Sequence, residues 1–328
     1  MKKVMLTVAE VTPLILAGRF LALAADENTL KSLPHGNWIA GTIPYFVGEN
    51  GGLQTRDLIH VTDLAAADSG AKIVDYTLDT IPEIANDAPD NGYTVLIIPA
   101  LSEIHTEYAK NSRDYPNLFL KPVIGWISGV HLDDLGKISP KVFNGMHGTF
   151  SDAQAVAIHV AVADHLLPVI RILNLFRQGD GDVLTFPEDG FAASACLING
   201  QPANFAEYVT RNGLDLSRPL VADYHGAQIN TSFQGVDEKN GVVNFYAPVF
   251  AGIEYKQAAP VGDYVHEFEA LTADIHVDAH FACNCILNFL YGKLEGRPTG
   301  ELTGPMTFGE IGYQLLNQTQ VYLELLEN

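Results

Sequence analysis

"DIHVDAHFACNCILNFLYGKLEG", residues 274–296, changes its hydrophobic period halfway along. Asp274, His276, Asp278 and His280 alternate with Ile275, Val277, Ala279 and Phe281, the period of two that a strand shows. Beyond Cys285 the apolar residues cluster as they do in a helix. A segment that enters as strand and leaves as helix predicts a chain in which both are interleaved.

The pattern holds outward in both directions. "WIAGTIPYF" (38–46), "DLIHVTDLA" (57–65), "AKIVDYTL" (71–78) and "PVIGWISGV" (122–130) read as strands. "YTVLIIPA" (93–100) is a continuous apolar run, expected for a central strand buried on both faces. Residues 144–163, 219–233, 241–250 and the closing "NQTQVYLELL" are strand-like as well. Thr7-Val8-Ala9-Glu10 has capping-box spacing, and Leu14, Ala17, Leu21 and Ala24 recur at helical spacing, so one helix is expected over 8–25. Asn199-Gly200 predicts a tight turn, with a helix starting near Pro202. Gly179-Asp180-Gly181 marks a sharp turn that divides the sequence into 1–180 and 181–328. "LPHGNWIAGTIPYF" and "RPTGELTGPMTFGEI" share Pro-x-Gly, a second glycine with threonine nearby, and an aromatic, which suggests two related halves. The expected class is α/β, of the mixed α+β kind, with mixed, largely antiparallel sheets and flanking helices.

Composition narrows the partners. The 328 residues carry 39 Asp and Glu against 19 Lys and Arg, a net charge of −20. Such a chain has no basic surface for phosphate, so neither nucleic acid nor an anionic membrane is expected as partner. Apolar runs stop short of the ~18 residues a membrane span requires. Residues 2–25 resemble a signal peptide, but Glu10, Pro13 and Arg19 interrupt the apolar stretch. Three cysteines, Cys196, Cys283 and Cys285, make no disulfide framework, and a cytoplasmic, reducing location is expected. Neither G-x-x-x-x-G-K-[ST] nor a strand–helix G-x-G-x-x-G is present, so no nucleotide cofactor is expected.

The C-terminal stretch 283–325 resembles the end of FIST domains, the "F-box and intracellular signal transduction" sensory family. The matching residues are Cys285 at a strand end, Thr307-Phe308-Gly309-Glu310-Ile311-Gly312, and Asn317-Gln318-Thr319. Gly200, Pro202, Ala203 and Tyr208 are similar to a second turn-and-helix motif of that family, and 33–46 to its glycine-rich N-terminal segment. Ile286 stands where that family has a basic residue, and no signalling module is attached, so a divergent stand-alone relative is expected. The resemblance implies binding of a small polar metabolite, such as an amino acid, in a cleft between two halves, with a homo-oligomer or signalling protein as partner.

Candidate site residues follow from the glycine-flanked and strand-interrupting motifs. Gly309 and Gly312 would let backbone approach a ligand while Glu310 accepts a hydrogen bond from it; the alternative is a carboxylate that locks a turn. Phe308 and Asn284 flank the same region, and Trp38, Thr42, His147 and His225 sit at turns or strand interruptions that could reach a cleft. Asp274, His276, Asp278 and His280 share one strand face, where His276, His280 and Asp278 could hold a transition metal; the alternative is the solvent side of a sheet. Cys283 and Cys285 have the apolar parity and read as buried structural thiols. Besides the ligand-binding reading, a hydrolase using the 274–280 strand and an acidic protein-interaction module fit the sequence.

Overall fold

A computed structural model describes residues 4–66, 69–224, 226–272 and 279–327. Strands outnumber helices because the apolar runs of this chain are short and β-rich, with turn residues between them. The class is mixed α+β, with antiparallel and mixed sheets and a few flanking helices.

One six-stranded sheet is built around the parallel pair Gly92–Pro99 and Val123–Ser128. Both strands are buried along their whole length, as continuous apolar runs covered on both faces should be. The helix Glu103–Asn111 supplies the crossover, and Ser102 caps it by accepting from the His105 N–H. Ala155–Ala161 and Lys72–Tyr76 extend one edge. The short strands Glu310–Gly312 and Gln314–Leu316 extend the other, with Glu310 opposite Trp126.

A second sheet runs in the order Leu166–Leu173, Gln320–Glu327, Phe281–Cys285, Gly304–Thr307, Tyr45–Gly48, Gly51–Gln54. It packs against the first through Trp126 on Phe281, ring centroids 5.7 Å apart, and through the Cys283 thiol, which donates to Gly125 O at 3.2 Å. A third sheet contains Phe20–Ala25 and Trp38–Thr42 in parallel. Thr42 ties it to the first: its hydroxyl donates to Gly129 O at 2.7 Å, and Gly129 N–H donates to Thr42 O. Residues 184–257 form a further six-stranded sheet that also takes in Gln201–Asn204 and a three-stranded sheet, Gly190–Ala193, Val242–Val249, Phe233–Asp237. Among the described residues no helix is long and apolar enough to cross a membrane.

Strands from both sides of residue 180 share hydrogen-bond ladders. Gly304–Thr307 pairs with Tyr45–Gly48, Glu310–Gly312 with Val123–Ser128, and Leu166–Leu173 with Gln320–Glu327. The turn at 179–181 therefore divides the sequence but not the sheets. The two similar stretches meet directly, with Pro305 opposite Phe46.

Two expectations change. The helix expected over 8–25 is Val8–Leu16 only; the Thr7–Glu10 capping box forms, but the chain turns at Gly18 (φ 74°) and enters the strand Phe20–Ala25. That strand is buried on both faces, and tertiary burial overrides the helical spacing of its leucines and alanines. The helix expected near Pro202 begins at Phe205, capped by Asn204. Residues 201–204 instead complete a hairpin around Asn199-Gly200, because pairing with Ala195–Ile198 satisfies their backbone.

Gly125 lies where the two main sheets meet, and a β-carbon there would stand 1.8 Å from Leu96 O. Gly125→Ala should cost more than about 3 kcal/mol in urea unfolding, since backbone must move to relieve the clash. Gly181→Ala meets nothing within 4 Å and should stay within about 1 kcal/mol of the parent.

Candidate functional site

Glu310 begins the short strand Glu310–Gly312 of the first sheet, between Val123–Ser128 and Gln314–Leu316, yet its side chain is turned toward the second sheet and is 0% exposed. A carboxyl group there has to be hydrogen-bonded, and Thr319, just before the strand Gln320–Glu327, does this, with the Thr307 hydroxyl nearby. Thr319 N–H donates at 3.1 Å and Thr319 Oγ1 at 2.7 Å to Glu310 Oε2; Thr307 Oγ1 approaches Oε1 at 3.5 Å. Burial pushes the Glu310 carboxyl up to about 8, against the lowering effect of these donors.

Cys285 sits between the same two threonines. It is opposite Thr307 in the parallel ladder, and its N–H donates to Thr319 O at 3.2 Å. Cys285 is 1% exposed and belongs to the main hydrophobic core, with the Glu310 carboxyl in its electrostatic surroundings. Burial first, and then the Glu310 charge, push the thiol well above its ordinary range, so it rests protonated.

Cys285 is among the residues that line a cavity of about 340 Å³. Ala100, Leu132, Phe191, Phe245, Ile286, Leu287 and Phe308 supply most of the lining. Phe308 reaches this place because Gly129 has no side chain: a β-carbon there would lie 2.3 Å from the ring. Leu101, Leu135, Leu290 and Tyr246 stand exposed around the mouth. Gln234 and Thr106 add polar groups, and no lysine or arginine is among the lining residues.

Two lining residues bury a polar atom that has no partner, His105 Nε2 and Asn317 Oδ1. His105 is 6% exposed, and desolvation lowers it to about 4, so the ring is neutral. Its Nδ1 accepts from Leu101 N–H at 3.4 Å, which leaves the ring hydrogen on Nε2. Leu101 makes this bond from a left-handed conformation (φ 64°) that costs a non-glycine residue about 1 kcal/mol or more. Asn317 is 1% exposed and precedes another such residue, Gln318 (φ 49°). That turn is clamped from outside: Ser232 Oγ donates to Gln318 Oε1 at 2.7 Å, and Gln318 Nε2 donates to Ser217 O at 3.0 Å.

The residues singled out from the sequence do not all converge. Phe308 lines the cavity, and Glu310 lies behind Cys285. Gly309 approaches Leu315 and Ile127 side chains rather than open space, and its O accepts from Thr307 Oγ1 at 2.9 Å. Asn284 is buried in a polar network: its Oδ1 accepts from Cys285 N–H at 2.7 Å and Asn288 Nδ2 at 2.8 Å, and its Nδ2 donates to Gln320. Thr42 lines a different hollow, beside Asp26, Glu27, Arg56, His131 and Asp134, and its hydroxyl is already bonded to Gly129 O. Trp38 is a core residue, with its indole N–H on Pro34 O at 2.9 Å. His147 stands at the surface near Asp75, Nδ1 to Oδ2 3.7 Å.

His225, Asp274, His276 and Asp278 lie outside the described residues. His280 Nε2 stands 2.7 Å from the Tyr93 hydroxyl and 3.0 Å from Leu64 O. Among the described residues no group of three or more His, Cys, Asp or Glu is placed to hold a metal. Cys285 was read only as a structural thiol, and His105 was not singled out at all. The spacing of Ser102 and His105 marks a helix start, and nothing local to it marks a cavity wall.

Residues 6–326 match the family of unknown function DUF6976, and the chain belongs to that family. No curated protein matches it.

The buried groups set a pH profile for stability. Glu310 binds a proton in the folded chain up to about pH 8 but only to about 4.5 unfolded, so its contribution is full below pH 4.5 and is lost as pH rises through 8. His60, His105 and His159, each lowered to about 4 by burial, act oppositely: their contribution is full above pH 6.5 and is lost as pH falls toward 4. Between pH 6.5 and 8, stability should fall by up to about 1.4 kcal/mol per pH unit in denaturant titrations. Glu310→Gln should flatten that limb and leave the acid limb in place.

Proposed function

We propose that this protein is a small-molecule-binding protein whose ligand occupies the cavity between Phe308, His105 and Cys285. The observation that carries the reading is a cavity of about 340 Å³ with mainly apolar walls, two of whose lining residues, His105 and Asn317, each bury a polar atom without a partner. Ligand sites commonly combine mostly apolar lining with a few placed polar groups, in volumes of roughly 300–1,000 Å³. An orphaned buried donor or acceptor costs about 1–3 kcal/mol, which a ligand that satisfies it recovers on binding.

The lining selects the ligand's chemistry. A neutral His105 offers an N–H and so favours a carbonyl or ether oxygen; Asn317 Oδ1 favours a hydroxyl or amide N–H. An amino acid zwitterion would bring a carboxylate, and with no lysine or arginine in the lining it would be desolvated without a counter-charge. The ligand is therefore a neutral, mainly apolar molecule with one or two hydrogen-bonding groups. The likeness to FIST domains supports a sensory role, because residues that carry it, Cys285, Phe308 and Asn317 among them, line this cavity. As part of the proposal the protein works in the reducing cytoplasm, in keeping with three cysteines that are free and buried.

A thermal-shift screen tests the reading. Neutral alcohols and ketones of five to eight carbons should raise the midpoint, a ligand at 100 Kd adding about 2.7 kcal/mol. His105→Phe, which keeps the ring and removes the donor, should weaken binding about tenfold, the worth of one hydrogen bond. Stabilisation by free amino acids alone would sink the neutral-ligand assignment.

A further inference from the structure

Part of the cavity lies at the carboxyl end of the parallel pair Gly92–Pro99 and Val123–Ser128, since Ala100 and Leu101 follow the first strand and Leu132 and Leu135 the second. Leu101 belongs to two hollows at once: it lines the cavity and also a shallow depression of about 580 Å³. Loops at the same end of the sheet build that depression. Asp79 comes after the strand Lys72–Tyr76, Glu103 begins the helix Glu103–Asn111, and Asp152 precedes the strand Ala155–Ala161. The two hollows differ in chemistry. Leu101 is 75% exposed, and Leu135, Leu290 and Tyr246 join it as exposed apolar groups around the mouth. The depression carries the three carboxylates, and no lysine or arginine is among the lining residues of either hollow. Glu103 stands in the first turn of its helix, where the dipole favours it. Among the described residues, the side chains of Asp79 and Asp152 have no hydrogen bond or ion pair. The hollow beside Thr42 is different, because it neutralises its own carboxylates: Arg56 bridges Asp26 and Asp134, and Lys141 holds Glu27. An exposed apolar rim beside uncompensated negative charge is a surface with a complement, apolar on one side and positive on the other.

We propose that a basic, amphipathic segment of a partner protein docks across this mouth, its apolar side chains on Leu101, Leu135, Leu290 and Tyr246 and its lysines or arginines in the depression of Asp79, Glu103 and Asp152. Removing the exposed rim from water supplies the attraction. The uncompensated carboxylates select the sign of the partner's charge and fix its register. A helix suits the surface, because residues three and four apart share a face and can cover the rim while its basic face meets the carboxylates. Nucleic acid and anionic lipid, the other large partners with charged surfaces, are repelled by a chain of net charge −20. The segment covers the rim and leaves the interior to the small ligand, so the docking holds whatever that ligand is.

Fluorescence anisotropy on the full chain tests this with a labelled peptide of about 14 residues, roughly 21 Å of helix, whose leucines and lysines fall on opposite faces. The peptide should bind saturably, and its counterparts with glutamate for lysine or serine for leucine should bind about tenfold more weakly or not at all. Asp79→Asn/Glu103→Gln/Asp152→Asn should weaken the leucine–lysine peptide about tenfold. Leu101→Asn should do the same, asparagine being a residue that tolerates the left-handed backbone there (φ 64°). Asp180→Asn/Glu238→Gln/Glu254→Gln, at exposed carboxylates that line neither hollow, should leave the affinity unchanged. All of these positions are exposed, so the variants should fold. Equal losses in the two triple variants mean attraction to an acidic surface in general and overturn the docking. So does unchanged binding by Leu101→Asn, or a serine peptide that binds as well as the leucine one, because the apolar rim then plays no part. Spermine that matches the peptide's affinity makes the depression a polyamine site and overturns the partner segment. No binding by the peptide overturns the docking as well, while the small-ligand reading still stands or falls on its own screen.

Discussion

A carboxyl group with no access to water is the constraint around which the centre of this protein is arranged. Glu310 belongs by its backbone to one sheet and by its side chain to the next. Its burial would be prohibitive without donors, and Thr319 supplies two, its N–H and its hydroxyl, from just before the strand Gln320–Glu327. Satisfying one side chain thereby ties the first sheet to the second.

The cavity follows from the same arrangement. The strand Phe281–Cys285 passes directly into the helix Ile286–Tyr291, so Cys285 both ends the ladder and stands at the helix N-cap. Phe308 is tilted into the space by the missing side chain of Gly129. The strained residues Leu101 and Gln318 stand next to the two turns that deliver His105 and Asn317. Strain of this kind persists only where the surroundings over-determine it, and here hydrogen bonds from outside the turns do so.

Several elements were legible from local pattern. The runs 93–100 and 122–130 are continuous and apolar, so they had to be covered on both faces, and they form the parallel pair Gly92–Pro99 and Val123–Ser128. The Thr7–Glu10 box and the Asn199-Gly200 turn depend on neighbouring residues alone, and both form. Phe20–Ala25 was misread because "FLALAA" fits either period once both faces are buried; pairing with Trp38–Thr42 made it a strand. For the site, the glycine-flanked Glu310 stood out in the sequence as a carboxylate in an odd setting. Its partner Thr319, nine residues on, carries no mark of that pairing.

By itself the sequence determined what depends on short-range chemistry: the mixed class, the buried central strands, the capping box, the hairpin turn, and an acidic composition unsuited to polyanions. Only the tertiary structure decided that Trp38 and Thr42 stand apart from Glu310, and that His105 and Cys285 line one cavity. The reason is physical. Period and propensity act over a few residues and are written in neighbours. Burial, desolvation and the meeting of side chains 180 residues apart, as for His105 and Cys285, depend on which strands pair, and that is settled by the energy of the whole packed chain.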